Sequence, residues 1–229
     1  MKRWVKTTVV ALLVFVLVVI GMLVFVAVEK EQKLTYGDSF DLCMQTITTI
    51  GFGNHYPHTA GGRVFCIFFA IIGIPLNFYL LKLVGQHILD GEKHLITKLE
   101  SRVFHRNPRY LHEKCLLAGI LLIMTLVFIG AGIQVSNSGW KFIDGVWAYV
   151  IIFTTVGFGD LIPHHDQKSK LNMVLFLPLY YTLGLCVVSS TVQAALGVVD
   201  SVKAVKSMFG YREVVNEREE GTGDQDGQL

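Results

Sequence analysis

Charge is scarce in this sequence. Charged residues occupy 17% of the 229 positions, and mean hydropathy is +0.50, whereas a soluble globular domain typically carries about 25% charged residues. The shortage falls in long uncharged runs, which excludes a disordered chain and argues against a soluble enzyme. The net charge of +2 is too small to indicate a nucleic-acid partner.

The residue patterns that carry chemistry are also missing. The four cysteines are not closely spaced, so they indicate neither a disulfide framework nor a zinc site; they are Cys43, Cys66, Cys115 and Cys186. No nucleophile–base constellation, phosphate-binding loop or metal-ligand cluster is present in the sequence. We therefore expect no catalytic residue and no cofactor. A voltage sensor needs a membrane helix with regularly spaced arginines, and no predicted span of this sequence contains them.

Four uncharged runs are long enough to cross a bilayer. They are 7–28, 64–81, 115–134 and 171–199, with 22, 18, 20 and 29 residues. About 20 helical residues cross a hydrocarbon layer of ~30 Å, so the second run qualifies only if its helix continues past Lys82. The first run follows three basic residues, as in a signal peptide, but it exceeds the ~7–15 residues of such an apolar core. We interpret it as a retained span.

Two shorter apolar stretches, 39–50 and 142–156, each end in glycine-rich sequence. TIGFG occupies 49–53 (the first glycine loop), and TVGFG occupies 155–159 (the second glycine loop), 106 residues later. Neither stretch can cross the bilayer twice, which predicts re-entrant segments: a half-helix that enters and returns as extended chain. Because span, re-entrant segment and span occur twice, the chain contains an internal repeat. The sequence predicts an all-α integral membrane protein with four transmembrane helices and two re-entrant helices.

The basic residues predict how the chain is oriented. We predict an N-terminal segment (1–6), a first repeat (7–89), a basic link (90–114), a second repeat (115–199) and a largely disordered C-terminal tail (200–229). Lysine and arginine number 14 in the two termini and residues 82–114 together, but six in the segments carrying the glycine loops. The positive-inside rule places both termini in the cytoplasm and the loops towards the outside. Anionic lipid head groups could contact the link, although topology alone explains its charges equally well.

The glycine loops have a backbone suited to binding cations. Extended backbone survives within a bilayer only where protein buries it or where it lines a wet cavity. Glycine at the third and fifth loop positions permits unusual backbone angles, so successive carbonyl oxygens can turn to one side and replace the water shell of a cation. The threonine that begins each loop adds a hydroxyl oxygen, and the carbonyl ends of the half-helices add partial negative charge. The alternative, glycines that merely pack helices together, predicts neither half-helices nor a repeat.

These motifs resemble the two selectivity filters of a two-pore-domain potassium channel subunit. Potassium channels surround the ion with four such loops. The sequences GWKFIDGVWAYVIIFTTVGFGD (139–160) and YPHTAGGRVFCIFFAIIGIPLN (56–77) are similar to the same family, and the resemblance covers roughly residues 7 to 200. It implies a leak-type channel subunit, gated at the filter, that conducts K⁺ passively in the plasma membrane. The implied K⁺ ligands are filter carbonyls and threonine hydroxyls, from Thr49, Ile50, Gly51, Phe52, Gly53, Thr155, Val156, Gly157, Phe158 and Gly159.

The resemblance also predicts the assembly. One chain supplies two loops and a ring needs four, so two chains are required, as a homodimer or as a heterodimer with a related subunit. Asn54 and Asp160 would lie at the filter mouth. Phe52 and Phe158 replace the usual tyrosine, for which we expect some tolerance in ion preference. The family's extended helical cap has no room between Glu29 and Asp38.

Several residues are candidates for regulation. His55 is nearest to a glycine loop and is a candidate pH sensor, because histidine changes charge between about pH 5 and 8; the other histidines predicted on that side are His58, His164 and His165. Solvated histidines without coupling are the alternative. Pro75 and Gly184 are candidate hinges in their spans, or ordinary punctuation of membrane helices.

Two other functions remain open from the sequence. One is a potassium transporter, although such proteins generally carry four less regular loops in one chain. The other is a capless, non-conducting subunit that assembles with related channel subunits and suppresses their current.

Overall fold

The computed structural model describes residues 3–30, 33–104, 111–163 and 171–223. The regular secondary structure of these residues is entirely helical. The helices are α1 (Arg3–Val28), α2 (Tyr36–Ile47), α3 (Ala60–Leu99), α4 (Leu111–Ser138), α5 (Phe142–Phe153) and α6 (Leu171–Gly223). A π-helical turn, Glu100–Phe104, follows α3. Helices α1, α3, α4 and α6 are long and apolar enough to cross a membrane. The predicted all-α membrane architecture is confirmed.

Helix α3 continues past Lys82, as the short second uncharged run requires if it is to span the membrane. It begins after Thr59, whose side-chain oxygen accepts a hydrogen bond from the Gly62 amide at 3.0 Å, as an N-cap residue does. The helix then continues through Pro75 and past Lys82 to Leu99. The second uncharged run is therefore part of a helix with ample length to span the bilayer, and residues 90–99 of the predicted basic link are an extension of this helix.

The C-terminal tail differs from its prediction. The sequence indicated a largely disordered segment at 200–229, yet α6 continues to Gly223, so the prediction is wrong for 200–223. Alanine, lysine, glutamate and arginine lose little side-chain freedom in a helix, and this segment contains many of them. A helix already formed in the span also needs no new nucleation to continue.

The half-helices α2 and α5 have 12 residues each, so each reaches about 18 Å, roughly half of the hydrocarbon layer. Helix α2 begins with a capping box: the Thr35 hydroxyl accepts from the Asp38 amide at 3.2 Å, and the Asp38 carboxylate accepts from the Thr35 amide at 3.0 Å. Helix α5 begins after Lys141 without a side-chain cap. Both half-helices match the predicted re-entrant segments.

Packing follows the repeat but is not symmetric. In the first repeat, α2 packs against α1, α3 and α6, whereas in the second repeat α5 packs against α4 and α6. Helices α1 and α4 are equivalent in the two repeats, as are α3 and α6. Within the described part of the chain, α5 therefore packs extensively against two helices, whereas α2 packs against three.

Helix α1 is attached to α3 near both of its ends. Near the N-terminus of α1, Arg3 forms an ion pair with Asp90. Just past its C-terminus, the buried Glu29 carboxylate accepts hydrogen bonds from the amides of His58 and Thr59, both at 3.1 Å, and from the Thr59 hydroxyl at 2.6 Å. A carboxylate at a helix N-terminus also interacts favourably with the helix dipole. Only residues 29–35 separate α1 from α2, which is too few for a helical cap.

Candidate functional site

Both glycine loops share an alternating backbone. In the first, φ is +60° at Thr49, +61° at Gly51 and +79° at Gly53. The equivalent angles in the second loop are +56°, +56° and +72°. The residues between them are outside the positive-φ region, and this alternation turns successive carbonyl oxygens to the same side, as the carbonyl ring of a potassium filter requires.

The positive φ of the two threonines is costly. Threonine is β-branched, and residues of this kind rarely adopt a left-handed conformation. Such strain costs on the order of 1–3 kcal/mol and persists only where the surroundings enforce it, typically at functional sites. The sequence predicted unusual angles at the glycines but not at Thr49 and Thr155.

The helix ends hold the two loops by the same backbone hydrogen bonds. In the first repeat, the amides of Ile50 and Gly51 both donate to the Gln45 carbonyl, at 3.1 and 3.2 Å. In the second repeat, the amides of Val156 and Gly157 both donate to the carbonyl of residue 151, at 3.0 and 3.3 Å. The internal repeat inferred from the sequence therefore extends to individual hydrogen bonds.

The two loops lie side by side within one chain. A Cβ atom added to Gly157 would lie 1.8 Å from the Ile50 carbonyl oxygen, and one added to Gly159 would lie 2.2 Å from the Phe52 carbonyl oxygen. The second loop thus packs its glycines against the backbone of the first. The glycines of the first loop are different, because a Cβ atom there would meet nothing within 4 Å in the described part of the chain.

A buried polar network supports the first glycine loop. Gln45, which is 2% exposed, accepts a hydrogen bond from the Gly53 amide at 3.3 Å and donates one to the Asn54 side chain at 3.0 Å. The Asn54 side chain donates in turn to Asp41 at 3.2 Å. The Phe52 ring packs edge-on against Tyr181 of α6, with ring centres 6.5 Å apart.

The second loop has a lighter support. The indole nitrogen of Trp147 donates to the Asp160 carboxylate at 3.0 Å, and the Trp147 ring stacks on Phe158 with ring centres 5.9 Å apart. Position 151, equivalent to Gln45, is isoleucine and offers no side-chain hydrogen bond. Phe158 is 63% exposed, whereas Phe52 is 7% exposed. One hydrogen bond and one ring contact therefore replace the network of the first loop.

The remaining sequence candidates have different surroundings. His55 is half-buried and lies near Asp38, with 3.7 Å between its Nε2 and the carboxylate. A Cβ atom at Gly184 would lie 2.1 Å from the Phe153 ring, so this glycine lets α6 pack closely on α5. The hinge roles of Gly184 and Pro75 stay predictions. His164 and His165 lie outside the described residues.

A cavity of about 870 Å³ lies at the threonine end of the loops. Its walls come from α3, α4, α5 and α6, and Thr48, Thr154 and Thr155 line the part nearest to the glycine loops. The rest of the lining is mostly apolar, with Leu81, Val127 and Leu185 among its residues. A row of carbonyl oxygens that ends above a vestibule is the arrangement needed to pass a dehydrated cation from water to water.

Sequence reasoning missed the residues that support the loops. The carboxamide of Gln45 and the carboxylate of Asp41 are four residues apart on α2, and this i, i+4 spacing places them on one face of the helix. That spacing was the available signal. Nothing in the sequence pointed to Tyr181, because its contact joins segments about 130 residues apart.

The chain matches the profile of a family described as ion channel, over residues 10–90 and 119–199. Each matched block contains one span, one half-helix with its glycine loop, and the following span. The two blocks cover most of the chain. The chain therefore belongs to the ion channel family.

Curated relatives agree with this family. The chain is 38% identical over 147 residues to potassium channel subfamily K member 17 of Homo sapiens, which covers 62% of this chain and 41% of the relative. It is 36% identical over 129 residues to subfamily K member 2 of Rattus norvegicus and over 136 residues to that of Homo sapiens; each match covers 55% of this chain and 30% of the relative. The chain thus spans less than half the length of these relatives. The resemblance to two-pore-domain potassium channel subunits is confirmed, as is the prediction of a channel rather than an enzyme.

Proposed function

We propose that this chain is half of a potassium-selective channel that conducts K⁺ passively through a ring of four glycine loops. The observation that carries the proposal is the alternating left-handed backbone of both loops. Carbonyl oxygens that point to one side can replace the hydration shell of K⁺. The names of the potassium channel relatives support the same ion.

The second half of the ring comes from a second chain. Among the described residues, no atom lies near Gly51 and Gly53 where Gly157 and Gly159 have the neighbouring loop, and α5 packs extensively against two helices where α2 packs against three. A second copy, related by a two-fold axis, would place its own loop and helix at these positions, and C₂ pairs are the commonest assemblies. A related subunit would fit the same face, so a heterodimer is compatible with this geometry.

Leak-type behaviour and orientation are parts of the same proposal. No span carries a row of arginines, so the channel opens without a voltage sensor and is regulated at the loops. The excess of lysine and arginine in the termini and link supports a cytoplasmic position for them, and the membrane in this proposal is the plasma membrane. The cavity then opens towards the cytoplasm, and Asn54 and Asp160 face outwards.

The proposal is tested with the purified full chain in liposomes. We expect potassium-loaded vesicles to lose K⁺ faster than matched vesicles lose Na⁺, and planar bilayers to show discrete conductance steps. The comparison variant is Thr155→Ala, which keeps the fold of α5 but removes a proposed hydroxyl ligand of K⁺. We expect this variant to show a weaker preference for K⁺ over Na⁺. Equal rates for K⁺ and Na⁺, or flux without single-channel steps, would contradict the proposal; the latter would favour the transporter.

A second candidate rests on the short connection between α1 and α2. Without a cap, fewer contacts hold two chains together, and the chain could act by joining related subunits without conducting. Co-expression with a full-length relative distinguishes the two functions. The suppressing role predicts no current from the chain alone and a reduced current from the relative, whereas the channel role predicts current from the chain alone.

A further inference from the structure

One charged side chain lines the cavity at the threonine end of the glycine loops. Among the described residues that form this lining, Lys82 alone is charged. The other lining residues of α3 are Phe78 and Leu81. Lys82 is exposed, and none of the ion pairs among the described residues involves it.

The helix geometry directs Lys82 towards the cavity. Phe78 and Lys82 are four residues apart on α3, and side chains at this spacing lie on one face of a helix. Leu81 and Gly85, on the adjacent stripe, are buried in the described structure, and Gly85 faces Ser189 of α6. The stripe of Phe78 and Lys82 therefore borders the open space beside the contact of α3 with α6.

The backbone at Lys82 is also fixed to α6. The Gln193 side chain donates a hydrogen bond to the Lys82 carbonyl oxygen at 3.2 Å, and Gln193 itself lines the cavity. This contact fixes the position of the Lys82 backbone relative to α6, which forms one wall of the cavity. A lysine inside a membrane-spanning helix is costly where it faces lipid and is found facing a water-filled cavity or the protein interior. Both arguments place the amine in the cavity rather than in the bilayer.

A fixed positive charge in a low-dielectric vestibule acts on every cation that passes through it. It lowers the local concentration of K⁺ and of any other cation that enters from that side. The loops themselves are unaffected, because the charge changes how ions reach them and not how they bind. The effect falls as salt screens the charge, over a Debye length of about 10 Å at 0.1 M.

We propose that Lys82 is a conductance-determining residue, whose amine restricts the entry of K⁺ and of organic cations into the cavity from the threonine side. This inference rests on the proposed function and deepens it. In a pair of chains, two such amines would line one vestibule. Current carried from the cavity side is then smaller than current carried in the opposite direction.

Single channels of the purified full chain in planar bilayers provide the test. The variants are Lys82→Gln, which removes the charge, and Lys82→Arg, which keeps it. The matched control is Lys98→Gln, which makes the same change farther along α3, about 24 Å away along the helix, outside the cavity lining. Tetrabutylammonium added to one side is the probe, and the side on which it blocks identifies the cavity side.

We expect Lys82→Gln to raise current from the cavity side and to tighten tetrabutylammonium block by roughly three- to tenfold, the range for one partly screened unit charge. The difference should shrink from 0.1 to 1 M salt, while Lys82→Arg and Lys98→Gln match the wild type. Unchanged conductance and block in Lys82→Gln would overturn the inference, as would the same change in Lys98→Gln or Lys82→Arg. A wild-type protein that passes no K⁺ overturns the proposed function as well, whereas a conducting wild type with an indifferent Lys82 overturns this inference alone.

Discussion

The two glycine loops have nearly the same backbone but different surroundings. Both alternate positive and non-positive φ, and the amides of both donate the same hydrogen bonds to carbonyl oxygens of their half-helices. The first loop is backed by a buried network and by Tyr181 of α6, whereas the second exposes Phe158 and relies on Trp147. Each loop thus has its complete backbone conformation within one chain, but only the first loop is also fully packed there. The difference indicates which surfaces a second chain would cover.

The largest effect should come from the loop glycines. Gly157→Ala places a Cβ atom 1.8 Å from the Ile50 carbonyl oxygen, so we expect K⁺ flux to be abolished. Gly51→Ala meets no atom of the described chain and alone would cost only backbone strain, about 1–2 kcal/mol. If a second chain closes the ring, Gly51→Ala should abolish flux as well.

Liposome flux from both glycine variants checks this comparison, with assembly measured by size-exclusion chromatography. Flux that survives in Gly51→Ala but not in Gly157→Ala would mean that no second loop lies against Gly51.

The polar network should have the next largest effect. Gln45→Leu keeps the volume but removes the acceptor of the Gly53 amide and the donor to the Asn54 side-chain oxygen, and each lost hydrogen bond contributes about 0.5–1.5 kcal/mol. We expect the loop to loosen and the K⁺ over Na⁺ permeability ratio to fall about tenfold, measured as a reversal potential in mixed salts. Ile151→Leu is the matched change in the second repeat and should cost less than about 1.5 kcal/mol. A preserved ratio in Gln45→Leu would show that the network does not support the loop.

Removing the side-chain hydrogen bond between Trp147 and Asp160, which supports the second loop, should have a smaller effect. Trp147→Phe keeps an aromatic ring beside Phe158 but loses the hydrogen bond to Asp160. An exposed bond of this kind contributes about 0.5–1.5 kcal/mol, so we expect a threefold or smaller loss of mean open time in single-channel records. Trp140→Phe, before α5, is the control. A loss larger than that of Gln45→Leu would reverse the ranking of the two supports.

The smallest effect should be that of external acid. Positive charge on His55 near the loop mouth opposes cation entry, so we expect K⁺ current to decrease in external acid. The nearby Asp38 carboxylate offsets part of this charge. We expect external acid to change the wild-type current about twofold. His55→Gln should remove this response, whereas His58→Gln should retain it. If His55→Gln retains the full response, His55 is not the sensor.

Much of the architecture could be predicted because it depends on local sequence. Uncharged runs of the right length specify spans, and the apolar stretches before TIGFG and TVGFG specify half-helices. The tail was mispredicted because composition alone does not show that an existing helix can extend without new nucleation. Gly184 was read as a candidate hinge, yet its position beside Phe153 depends on how two distant helices pack, which no local pattern records.

The sequence by itself determined the spans, the repeat and the glycines that permit a carbonyl-lined loop, because these depend on hydrophobic length and on the absence of a side chain. Only the tertiary structure decided that two threonines adopt left-handed angles, that Gln45 supports one loop and Trp147 the other, and that Lys82 borders the cavity. Those features arise where segments far apart in the chain approach within a few ångströms. Strain, hydrogen bonding and cavity charge are properties of that approach and not of any single segment.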